Sequence, residues 1–119
     1  MEQVKCGVVG VGSLGQHHAR LYQSLEGVEL VGIFDVDLER ARSIAEAHGT
    51  QVYSDPVELA SAVEALSIVV PTDRHAEVAV AAMAAGAHVL VEKPICASLT
   101  EAESVLAAAK RYNKLVQVG

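Results

Sequence analysis

The stretch "VVGVGSLGQHHARL", residues 8–21, decides the fold. Its first residues close a short apolar run over 4–10. Its last ones open a pattern of Leu14, His18, Leu21, Tyr22 and Leu25 at helical spacing, with Gly27 as the stop. Between the two, Gly10, Gly12 and Gly15 stand as G-x-G-x-x-G. A strand that turns through such glycines into a helix presents bare N–H groups and a positive dipole end, which suit a phosphate. Gly10 permits the tight turn, Gly12 lets a pyrophosphate approach the backbone, and Gly15 lets helix and strand pack closely. Ser13 and Leu14 lie inside the same turn and join the glycines as cofactor-binding candidates. The spacing is weak evidence alone and gains its weight from the strand before it and the helix after it.

The alternation of strand and helix continues along the chain. Further strands are expected over 29–35, 51–54, 66–70, 88–91 and 115–118. A second helix begins at Asp37, carries Leu38, Ala41, Ala45 and His48 on one face, and ends at Gly49. Asp55-Pro56-Val57-Glu58 opens a short third helix, with Asp as cap and Pro in its first turn. An alanine-rich helix is expected over 73–85, stopped by Gly86. Thr100 and Glu103 read as a capping box ahead of a helix with Ala102, Val105, Leu106 and Ala109 on its buried face. Apolar strands alternating with helices imply a parallel sheet covered on both faces. Right-handed crossovers make it a doubly wound α/β sheet of order 3-2-1-4-5-6, in a single domain over 1–119.

Asp35 closes the second strand, twenty residues after Gly15. A carboxylate there can accept hydrogen bonds from the adenosine ribose hydroxyls and repels a 2′-phosphate. The nearest cation, Arg40, lies a turn into the next helix. NAD is therefore expected over NADP. Composition agrees with a small-molecule partner. The net charge of −6 argues against a nucleic-acid backbone. The longest apolar stretch, 78–91, is too short for a membrane span. Cys6 and Cys96 have no metal spacing and read as reduced thiols of a cytoplasmic protein. With no Trp and one Phe, the core must be built from Val, Leu, Ile and Ala.

The fifth strand ends in Glu92-Lys93-Pro94, charged residues that need a reason beside a core. Taken with the glycine turn at 10–15, "VPTDRHAEVAVAAMAAGAHVLVEKP" (70–94) and "LTEAESVLAAAKRYNKLVQVG" (99–119), the chain resembles, over essentially its whole length, the N-terminal Rossmann domain of the Gfo/Idh/MocA oxidoreductases. That resemblance implies an NAD-dependent dehydrogenase acting on a sugar, inositol or nucleotide-sugar hydroxyl. It places Pro71, Thr72 and His75 beside the cofactor, Glu92 near the nicotinamide ribose, and Lys93, the catalytic candidate, facing nicotinamide and substrate. It also implies a Lys93–Pro94 bond often held in the cis form. A lysine amine there can accept the hydroxyl proton or donate a hydrogen bond to the substrate oxygen.

The same resemblance implies a second domain, absent from this chain, with the substrate pocket, most oligomer contacts and further catalytic groups. The 119 residues alone are then expected to bind NAD weakly, to lack dehydrogenase activity, and to belong to a homo-oligomer when full length. A stand-alone NAD-binding sensor is the alternative. Of the histidines, His18 is expected to be packed rather than to serve a ligand, and His75 to make local hydrogen bonds at its helix start. His48 and His88 are expected to be structural, His17 is not assigned, and no metal site is expected.

Overall fold

The computed structural model describes residues 3–93 and 96–119. Among the described residues, strands β1 (Val4–Val9), β2 (Val28–Phe34), β3 (Gln51–Val52), β4 (Ala65–Ile68), β5 (His88–Val91) and β6 (Val116–Val118) alternate with five helices. These are α1 (Ser13–Ser24), α2 (Leu38–His48), α3 (Pro56–Ala62), α4 (His75–Ala84) and α5 (Leu99–Tyr112). Every neighbouring pair is parallel and the order is β3-β2-β1-β4-β5-β6, as the sequence predicts. The order reverses between β1 and β4, so a crevice opens where the chain leaves those strands in opposite directions.

Alternation along the strands builds two cores. Val8 joins Ile33, Val11, Ala19, Ala41 and Ala45 under α1 and α2. Its neighbour Val9 points the other way and joins Leu66, Ile68, Val89, Val91 and Leu59 under α3, α4 and α5. Burying a side chain such as Leu59, which is 0% exposed, contributes about 2–3 kcal/mol. The same alternation carries Ser67 to the α1 side of β4, opposite Leu66 and Ile68.

Helix surfaces differ from the expectation in a consistent way. Leu14, Leu21 and Leu25 are 47%, 45% and 51% exposed, and α1 buries Gly15 and Ala19 instead. Gly15 lies so close to the Gly10 carbonyl that a Cβ would overlap it, and a helix held that near the sheet turns its small residues inward. Leu38 sits exposed in the first turn of α2, while Ala41 and Ala45 pack. In α5 the buried residues are Val105 and Ala108; Leu106, one step of about 100° round the helix, is 59% exposed.

The caps of α2 and α3 are as expected: Asp37 accepts Arg40 N–H, Gly49 closes α2 at φ 65°, and Asp55 accepts Val57 N–H ahead of Pro56. The cap of α5 is Ser98, whose hydroxyl accepts Glu101 N–H at 3.2 Å, and not the expected Thr100 with Glu103. Both pairs satisfy the S/T-x-x-E spacing, and the chain uses the earlier one. The expected helix over 73–85 begins as a single 3₁₀ turn, Thr72–Arg74, before α4.

Candidate functional site

Parallel strands bring their carboxyl ends to one rim, and the charged and glycine residues singled out above follow those ends. Gly10 leaves β1 at φ 92°, a left-handed conformation, and a Cβ there would overlap the Val69 carbonyl oxygen. Gly12 is the N-cap of α1 and has nothing within 4 Å of where a Cβ would stand. Among the described residues no side chain caps α1, so the N–H groups of its first turn keep their capacity for a ligand. Ser13 and Leu14 are exposed beside them.

Asp35 follows β2 and is 5% exposed. Its Oδ2 accepts Val11 N–H at 2.8 Å and its Oδ1 accepts Asp37 N–H at 2.8 Å. The guanidinium of Arg40 lies 3.2 Å and 3.4 Å from the two oxygens. Burial pushes this carboxyl up, but the Asp37 and Val11 amides and Arg40 outweigh it and hold the pKa below the usual carboxylate range. Asp35 therefore ties the glycine turn to β2, a structural task that the sequence pattern does not reveal. Nor does the sequence reveal that Arg40 turns back onto it.

Gly10, Gly12, Asp35, Arg40, Val70 and Pro71 line one cleft of about 160 Å³. Thr72 is half-buried directly after it. His75 is 2% exposed with Nε2 2.8 Å from the Val70 carbonyl oxygen, the local bond expected of it. It reaches the cleft wall through Val70.

Two strands along the same rim, Glu92 and Lys93 follow β5. Lys93 is exposed, and its backbone N–H donates to Gly119 at 3.2 Å. Pro94 and the Lys93–Pro94 bond lie outside the described residues. Glu92 Oε1 is 2.8 Å from His18 Nε2, and His18 Nδ1 is 3.1 Å from Ser67 Oγ. His18 is thus no merely packed ring: it joins Glu92 to a buried hydroxyl. The one sequence signal was a serine inside an otherwise apolar strand.

Both cysteines are free and buried; burial and then Glu64 raise Cys6, and burial and then Glu101 raise Cys96, so neither is poised as a thiolate. Among the described residues no helix is long and apolar enough to cross a membrane.

A doubly wound sheet with a glycine turn at its switch point and an acid ending β2 defines a dinucleotide-binding domain of the Rossmann type. Residues 4–119 match the oxidoreductase family with an NAD-binding Rossmann fold, Gfo/Idh/MocA, and the chain belongs to that family. It is 36% identical over 119 residues to UDP-N-acetylglucosamine 3-dehydrogenase of Acidithiobacillus ferrooxidans, covering 100% of this chain and 37% of that protein. A solved structure of that enzyme superposes with a TM-score of 0.94, at 36% identity, over 100% of this chain and 39% of its own. The scyllo-inositol 2-dehydrogenase (NAD(+)) of Bacillus subtilis is 36% identical over 98% of this chain and 35% of its own length. The chain thus spans a little over a third of these relatives.

Proposed function

We propose that the chain holds NAD, in preference to NADP, along the carboxyl rim of the sheet. In this reading it is the cofactor domain of a longer oxidoreductase that acts on a sugar, inositol or nucleotide-sugar hydroxyl. The observation that carries the reading is the ionised, buried Asp35 beside an uncapped α1 and the open space at Gly12. These residues fit the cofactor. The amides of Ser13, Leu14 and Gly15 would receive the pyrophosphate, which approaches over Gly12.

Asp35 would accept the adenosine ribose hydroxyls. Both of its oxygens already accept an amide and face Arg40, so the ribose diol enters by displacing that guanidinium, whose side chain is 45% exposed. Pro71, Thr72 and His75 would shape the wall, and Glu92 would hold the nicotinamide ribose. When bound, NAD supplies the hydride acceptor. Lys93 would take the hydroxyl proton or hydrogen-bond the substrate oxygen.

One lysine cannot also position a polyol. Turnover is therefore proposed to need a second domain, in a homo-oligomeric enzyme of the cytoplasm, where unpaired thiols persist. The sensor alternative is the weaker reading, since the relatives are dehydrogenases by name. In calorimetric titrations NAD is expected to bind this chain at least about tenfold tighter than NADP, roughly in the micromolar-to-millimolar range. Tighter NADP binding would overturn the preference, no binding of either would overturn the cofactor reading, and turnover of inositol by the chain alone would overturn the need for a second domain.

A further inference from the structure

We propose that His18 is the positioning residue for Glu92, with Ser67 and Tyr22 holding the far side of its ring. It rests on the reading above that Glu92 faces the nicotinamide ribose.

Strand alternation brings the members together. Ser67 of β4 pairs with Leu90 of β5, and Glu92 is the next residue on the Leu90 side, so Ser67 and Glu92 both face α1. Helix α1 presents His18 and, one turn on, Tyr22 to that face. Ser67 is 0% exposed and bonds both His18 Nδ1 and the Tyr22 hydroxyl. The His18 and Tyr22 rings meet edge to face at 6.4 Å between centroids.

The donors can be assigned from the partners. A carboxylate oxygen only accepts, so Nε2, 2.8 Å from Glu92 Oε1, carries the proton. With one proton on the ring, Nδ1 accepts from the Ser67 hydroxyl, and Ser67 accepts from the Tyr22 hydroxyl. Every link has one proton. The other neutral tautomer would set two lone pairs against each other at the Glu92 contact. Glu92 lies past the end of β5 and has three rotatable torsions, and this chain holds one of its oxygens before a ligand arrives. An acid fixed in place loses less freedom on binding, which favours affinity.

Two measurements test this. Imidazole nitrogen NMR of the ligand-free chain at pH 7 is expected to show His18 as the Nε2–H tautomer, and Glu92→Ala is expected to give a mixture. A ring protonated on Nδ1, or on both nitrogens, would overturn the proposal. In NAD titrations, with thermal midpoints confirming folding, His18→Leu is expected to weaken binding about tenfold. His18→Gln, whose amide N–H can replace Nε2–H, is expected to stay within about threefold of the parent, and His18→Leu is expected to add nothing in a Glu92→Ala background. Unchanged affinity in His18→Leu, or effects that multiply in the double variant, would overturn it. If the parent chain binds no NAD, the cofactor reading falls and the tautomer measurement still decides the hydrogen-bond chain.

Discussion

Gly10→Ala is expected to lower the unfolding free energy by about 3 kcal/mol, whereas Gly12→Ala, two residues on, changes it by less than about 1 kcal/mol. Both are expected to abolish measurable NAD binding. At position 10 an alanine must hold φ 92°, which disfavours any side chain, and must also displace the Val69 carbonyl from the space its Cβ requires. In a domain of this size, total stability is only about 5–15 kcal/mol. Such a loss should bring the thermal midpoint down by roughly 10 °C. At position 12, φ is −67° and a Cβ meets nothing, so restricting the unfolded chain offsets the poorer helix cap. The added methyl then stands in the space assigned to the pyrophosphate. Thermal melts and calorimetry on the two variants check both halves. A Gly12→Ala chain that still binds NAD like the parent would show that the phosphates do not pass there.

Asp35→Asn is expected to act on stability and binding together, and its effect should depend on pH. In the parent the carboxylate accepts the Val11 and Asp37 amides and pairs with Arg40. An amide keeps one acceptor oxygen and leaves a buried donor poorly matched, which costs about 2 kcal/mol at neutral pH. The folded-state pKa of Asp35 lies below its ordinary value. Its contribution is therefore complete above the unfolded value, about 3.9, and lost as pH falls through the lower folded value. Urea midpoints of parent and variant should differ clearly at pH 7 and draw together below about pH 4. A gap that is constant or widens on acidification would contradict the role given to the charge. The same variant should lose its preference for NAD over NADP, because Arg40 is released and no carboxylate repels a 2′-phosphate.

The parts of the candidate site that the sequence singles out are those encoded locally. Gly10, Gly12 and Gly15 carry their meaning in a six-residue turn, and Asp35 in its position at a strand end. The strand order followed because parallel neighbours joined by right-handed crossovers leave few alternatives. The parts that could not be read depend on contacts distant in sequence or on side-chain direction. Glu92 and His18 are 74 residues apart. Arg40 touches Asp35 only because its side chain runs back across the first turn of α2.

The leucines of α1 misled for a different reason. Leu14, Leu21 and Leu25 dominate any apolar pattern, yet the close approach fixed by Gly15 requires small residues on the inner face, and glycine and alanine register weakly as apolar. At the head of α5, Ser98 with Glu101 and Thr100 with Glu103 fit one pattern equally well, and spacing alone does not choose between them.

The most direct test follows the backbone amide signals of the nitrogen-labelled chain as NAD is added. Binding along the rim predicts that Val11, Gly12, Ser13, Leu14, Gly15 and Asp37 shift first and saturate together, with Lys93 following. Shifts confined to the apolar groove between α3 and α4, around Val57 and Val78, with the glycine turn unmoved, would contradict it.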